Sequence, residues 1–216
     1  MAYNPPMLAA QHIAITRRAL ESHFNQSALA RIIKANLRQD SLAGLVAHPE
    51  YHFDDNAFEA SRAYMDEQRR AIPASLLRGD AESAHTAFGR LLHAAQDFYA
   101  HTDYAARWLA RFDGGTPPPA AEIDPVDPGL LHAPPLHSCK MYYPLELLTF
   151  VPGLKGLILP RLPADSHARM NLDSPASGPL FDYAFEAAVK RTRLEFEQIK
   201  TGLSKGLLIL FTDGNL

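Results

Sequence analysis

The chain has 216 residues, a formal net charge of −3, 47% hydrophobic and 21% charged side chains, and a single cysteine, Cys139. This composition excludes disorder as the main state, excludes an intrachain disulfide, and gives the molecule no overall electrostatic pull toward nucleic acid. There is no run of eighteen apolar residues and no apolar stretch of signal-peptide length near Pro5, Pro6, Arg17 and Arg18. The expectation is therefore a protein without a membrane-spanning helix, either cytoplasmic or exported by a route that needs no such signal.

Helical periodicity dominates the pattern. From about Met7 to His23, the residues Leu8, His12, Ile15, Ala19 and His23 share one face and Arg17, Arg18 and Glu21 the other, so His12 is expected to point inward. Ser27 fits the N-cap of a second helix reaching about Leu37, and a third is expected from Asn56 to Ala71, before Pro73. Asp80 to Phe112 reads as the longest helix, opening with acidic residues and closing before Gly114 and Gly115. Asp113 to Lys140 is dense in Pro and Gly without helical period, and its length points to a functional loop. A last helix from Pro179 places Phe181, Phe185, Ala188, Thr192 and Ile199 on one side and Glu186, Lys190, Arg193 and Glu197 on the other. No linker divides the chain, so one domain over residues 1–216 is expected, with an all-α fold: a helical bundle carrying a long Pro/Gly-rich irregular section.

Within the central helix, GRLLHAAQDFYAH places His93, Asp97 and His101 at successive four-residue intervals. At about 100° per residue these positions stay within an arc of roughly 80°, so two imidazoles and a carboxylate point the same way. A carboxylate between two imidazoles can bridge two metals about 3.5 to 4 Å apart. The alternative is a buried polar stripe satisfied by hydrogen bonds. Further ligand types recur: Asp40 in ANLRQD, His52 beside Asp54 and Asp55 in HPEYHFDDN, and His167 in DSHARMNLDSP with Asn171 and Asp173 behind it. Each also has a local explanation, with Asp40 at a helix end, Asp54 or Asp55 as an N-cap, and Asp173 in a turn.

The order of these residues resembles the zinc-dependent phospholipases C, the fungal single-strand-specific nucleases and the Het-C-like proteins, and GRLLHAAQDFYAHTDYA is closest to the Het-C-like branch. The resemblance implies a helical fold around a buried polynuclear site of two or three zinc ions. Its ligands would be His12, Asp40, His52, His93, Asp97, His101 and His167. The chain departs from that pattern in beginning MAYNPP without an N-terminal Trp. His101 follows Asp97 by four, as in the Het-C-like pattern and unlike the phospholipases, and Asn171 stands where an acid follows the late His, with Asp173 available to take the acidic role.

The activity implied is phosphodiester hydrolysis of phospholipase C type. Zinc lowers the pKa of bound water toward 7, two or three cations clamp the phosphate, and Asp40 serves as general base by resemblance. The alternatives are a single-strand nuclease on the same metals and a non-catalytic Het-C-like interaction module in which metal holds the helices together. Cys139, in a Pro-rich stretch, lacks a recognisable base motif for a nucleophile, although His137 is close. The segment Tyr142 to Leu162, YYPLELLTFVPGLKGLILPRL, has only Glu146, Lys155 and Arg161 as charges. It is either core or an apolar lip that receives phospholipid and touches a membrane interface. Nucleic acid, disfavoured by the acidic balance, would need stacking platforms such as Tyr99, Tyr104, Tyr142 and Tyr143.

Overall fold

A computed structural model describes residues 8–112, 114–131, 135–151 and 153–214. Met7 and Asp113, expected above as element bounds, lie outside the described residues. The architecture is all-helical, as the periodicity requires. In order it runs α1 (Leu8–Leu20), α2 (Gln26–Leu37), α3 (Leu42–Ala47), α4 (Pro49–His52), α5 (Phe58–Leu77) and α6 (Ala81–His101). It continues with α7 (Tyr104–Ala110), α8 (Pro128–Leu131), α9 (Lys155–Ile158), α10 (His167–Met170), α11 (Leu180–Thr201) and α12 (Lys205–Asp213).

Helix α6 is the axis. It packs against α2, α5 and α11, while α1 lies along α11 and α12 closes the end against α5, α2 and α6. Its burial explains this place, since Phe88, Leu91, Leu92, Ala94 and Tyr99 are all inaccessible. One apolar cluster runs through these helices from Ile15 to Phe211. The approach of α2 depends on Gly89: a Cβ there would stand 2.4 Å from the carbonyl oxygen of Ile32 and 2.7 Å from Ala35 Cβ. Without that side chain the helices close up, and Asn36 of α2 reaches His93 of α6.

Several boundaries differ from the sequence expectation, each for a tertiary reason. Helix α2 is capped by Asn25, whose Oδ1 accepts from Ala28 N at 2.8 Å and also from Ser27 Oγ, so Ser27 is inside the helix. Helix α5 runs through Pro73 to Leu77, although an internal proline removes one hydrogen bond. The turn around it buries Ile72, Ser75 and Leu76, and that packing outweighs the loss. The expected long helix to Phe112 ends at His101 because Thr102 turns extended and bridges Ser138 of the irregular section.

That section is a strap. Buried Tyr99 and Tyr104 donate their hydroxyls to the carbonyls of Pro125 and Asp124, and Lys190 donates to that of Ile123. Both tyrosines are therefore engaged in the core and offer no stacking platform. Among the described residues no helix is long and apolar enough to cross a membrane.

Candidate metal centre

All the sequence-predicted ligand residues converge at one end of α6. Asp97 is the hub. Its Oδ1 faces His12 Nε2 at 3.1 Å, and its Oδ2 faces His52 Nδ1 at 2.9 Å and His93 Nε2 at 3.1 Å. Asp40, delivered by the 3₁₀ turn Arg38–Asp40 that follows α2, places Oδ1 3.6 Å from His93 Nε2 and 4.0 Å from His52 Nδ1. One turn beyond Asp97, His101 Nε2 lies 3.3 Å from His167 Nε2 and 3.2 Å from Asp173 Oδ1. Asn171 holds the other edge of His167, its Nδ2 lying 3.4 Å from Nδ1, so it orients the ring while Asp173 supplies the acid.

The surrounding hydrogen bonds decide which nitrogen faces inward. Gln96 donates through Nε2 to Thr16 and Thr192, which leaves its Oε1 to accept from His12 Nδ1 at 2.6 Å and from Asn36 Nδ2 at 3.1 Å. Asn36 Oδ1 in turn accepts from His93 Nδ1 at 3.2 Å, and the His52 carbonyl accepts from His101 Nδ1 at 3.0 Å. In neutral His12 and His93 the remaining lone pair therefore sits on Nε2, pointing at Asp97, whereas His101 has a carboxylate at each nitrogen, Asp54 3.0 Å from Nδ1 and Asp173 3.2 Å from Nε2. Metal-binding histidines are held in this way, with the outer N–H donated to an oxygen and the inner nitrogen free to ligate. Two further buried polar atoms, Asp40 Oδ2 and His52 Nε2, lack a hydrogen-bond partner.

Two ligand groups result. In one, His12, Asp40, His93 and Asp97 each offer an atom within 4.8 Å of the others; in the second, Asp54, His101, Cys139 and His167 do the same. His52 lies between them, joined to Asp97 by its ring and to His101 by its carbonyl.

Asp54 and Cys139 were not among the expected ligands. The N-cap role that the sequence suggests for Asp54 is not used, because α5 is entered through Ala57 without a side-chain cap. Phe53, Asp55 and Asn56 all adopt φ near 55°, a conformation non-glycine residues rarely take, and this turn aims Asp54 at His101 and Cys139. The available signal was the run of acids beside His52, which no local rule assigns to a side.

As a protein-only cluster these groups perturb one another strongly. Burial disfavours the charged form of His12, but Asp97 and Asp40 overcome it and raise the pKa to about 9. Burial likewise opposes charge on His101, which Asp54, Asp97 and Asp173 nevertheless hold well above the usual imidazole value. Burial wins at His93, which is shifted down. Asp97 stays far below its usual range despite burial, through His93, His101 and His12. Burial and then the neighbouring Asp54 push the Cys139 thiol well up.

Most of the ligand side chains are buried, with Asp40 and Asp173 partly exposed at the edge. His12, His52, His93, Asp97, His101, Cys139 and His167 are all buried, and the space beside His12, Asp97 and Asp173 is a cavity of ≈ 30 Å³.

Residues 8–108 match the family described as VWA7 N-terminal domain. Among curated proteins, von Willebrand factor A domain-containing protein 7 of Rattus norvegicus is 29% identical over 79 residues, 37% of this chain. The matched stretch spans only 9% of that relative's length. No solved structure matches the chain.

These findings correct the functional reading of the sequence. The similarity is to a VWA7 N-terminal domain, not to zinc phospholipases C, single-strand nucleases or Het-C-like proteins. The assignment as a hydrolase, and as a phosphodiesterase of phospholipase C type, falls with it. The physical reason is that His-x-x-x-Asp-x-x-x-His records only that three polar groups share a helix face, which any helical domain can use.

Proposed function

We propose that this chain is a non-catalytic helical interaction module whose helices are stapled by zinc at the Asp97 hub and the adjoining His101 group. The observation that carries the reading is the outward use of Nδ1 on His12 and His93, which leaves Nε2 of each facing the buried Asp97, while His101 is held between Asp54 at Nδ1 and Asp173 at Nε2. Structural zinc sites fill their four positions with protein ligands, and each of the two groups offers four. The donors fit zinc, with imidazole and carboxylate in one group and a thiol added in the second. His12, Asp40, His93 and Asp97 would hold one ion, with His52 beside them at the Asp97 carboxylate. An ion there would tie α1, α6 and the turn after α2 together.

Elemental analysis and thermal melting test this. Purified or reconstituted chain is expected to carry two zinc ions, and chelation to lower the melting temperature. At free zinc a thousandfold above Kd the stabilisation is about 4 kcal/mol, or roughly 8 to 16 °C for a chain of this size. Asp97→Asn is expected to lose the zinc of its own group, since it removes the carboxylate that faces His12, His52 and His93. Less than one zinc per chain after reconstitution, with a melting curve indifferent to chelator, overturns the reading.

The partner-facing surface in this proposal is the segment 142–162, as peripheral contact with a lipid interface. Tyr143, Leu145, Leu147, Leu148, Val151 and Leu157 are exposed, beside Leu42 and Val46 of α3, to which Tyr143 is tied through the carbonyl of Leu45. Its single acid, Glu146, is turned inward, where it accepts from the backbone N–H groups of Tyr142 and Ala168. The outward charges are then Lys155 and Arg161, and apolar side chains flanked by cations suit an anionic lipid surface.

A further inference from the structure

Cys139 lies in the middle of three chain segments that do not meet in sequence. Its backbone N–H donates to the carbonyl of His101 at 2.9 Å and its carbonyl accepts from Asp55 N at 2.8 Å. On the other side Lys140 N donates to the Asp165 carbonyl, and His167 N donates back to that of Lys140, both at 2.8 Å. The residues 138–140 therefore form a short extended rail between the end of α6 and the start of α10, with the turn 54–56 against it. The rail delivers the thiol to Asp54, whose Oδ1 accepts from Sγ at 2.9 Å, inside the group completed by His101 and His167. Cys139 is wholly inaccessible, and all four residues are buried.

We propose that Asp54, His101, Cys139 and His167 form a separate thiolate site for zinc, distinct in donor chemistry from the all-nitrogen-and-oxygen group at Asp97. The inference rests on reading the cluster as a metal centre and goes beyond it in assigning a sulfur ligand and hence a selectivity. Two imidazoles, a carboxylate and a thiolate make a tetrahedral set for a borderline-soft ion and a poor one for magnesium, calcium or manganese. Binding forms the metal–sulfur bond as the thiol gives up its proton. Asp54, already the acceptor of that proton, passes it to solvent, so one proton leaves per ion and no oxidant or reductant is needed. The ion would fasten the Pro-rich strap to α6 and α10, which are otherwise joined here by backbone hydrogen bonds.

The test is reconstitution of the metal-free full chain with cobalt(II), a spectroscopic stand-in for zinc. The wild type is expected to show a near-ultraviolet thiolate-to-cobalt charge-transfer band, and zinc, but not a large excess of magnesium, calcium or manganese, to abolish it. Cys139→Ser should lose that band and one of two metal equivalents, whereas Asp97→Asn should keep the band and lose the other. Alkylation of Cys139 in the wild type, followed by mass spectrometry, should slow at least tenfold when zinc is bound. Cobalt bound by the wild type without a thiolate band, together with alkylation indifferent to zinc, overturns the thiolate site and leaves the Asp97 centre standing. Failure to bind cobalt at all removes both.

Discussion

Gln96 Oε1 lies 2.6 Å from Nδ1 of His12, and with both side chains buried this contact fixes which nitrogen the imidazole turns toward Asp97. Gln96 lies on α6 one residue before Asp97 and presents its other end to Thr16 and Thr192. It is a positioning residue that joins α1, α6 and α11 through one amide.

Gln96→Leu is accordingly expected to weaken zinc binding by about 10- to 100-fold, the usual cost of losing an outer partner of a ligating histidine. Gln96→Glu, which retains an acceptor for Nδ1, should recover most of it. Competition against a chromophoric chelator reads both, and an unchanged zinc Kd in the leucine variant would detach His12 from the metal.

Gly89→Ala tests the seam between α2 and α6. A methyl 2.4 Å from a backbone oxygen cannot be absorbed by a side-chain rotation, so α2 must shift. The expected loss is about 1 to 3 kcal/mol, read as a lower urea midpoint with an unchanged slope. Because Asn36 moves with α2, zinc affinity should fall too. Wild-type stability in this variant would falsify the packing argument.

The buried Glu195 accepts from Arg69 at 2.7 and 2.8 Å and from Arg191 at 2.7 Å. Burial raises its pKa, but Arg69 and Arg191 outweigh this and hold it below the usual 4.5. A depressed carboxyl contributes stability that is fully present above the unfolded value and is lost as pH falls through the folded one. Glu195→Gln is thus expected to destabilise by about 3 kcal/mol at neutral pH, with the gap to wild type narrowing below about pH 4. Denaturant titrations at both pH values check this, and a gap independent of pH would show that Glu195 acts through packing alone.

Leu148→Ser with Leu157→Ser probes the apolar face. Both side chains are exposed, so the melting temperature should stay within about 2 °C of wild type. Burial of a leucine contributes about 1.5 to 3 kcal/mol, so co-sedimentation with anionic vesicles should fall at least tenfold. Equal sedimentation of variant and wild type would remove lipid as the partner of this face.

What the sequence determined by itself is what periodicity controls. The helical class follows from the recurrence of apolar residues, as does the inward face of His12. The shared direction of His93, Asp97 and His101 follows from helix geometry alone, and their neighbours His52, Asp40, His167 and Asp173 are recognisable by side-chain chemistry. Tertiary structure decided the rest. Thr102 ends the central helix because Ser138, remote in sequence, pairs with it. Helix α5 carries Pro73 because Ile72 and Leu76 are buried around it. Cys139 and Asp54 join His101 and His167 only through backbone pairing among 54–56, 101–102, 138–140 and 165–167, which no local pattern encodes. Burial of the ligand side chains depends on which groups surround them. Spacing along a helix carries no information about those surroundings, so the phosphodiesterase expectation rested on a pattern that many helical domains satisfy equally well.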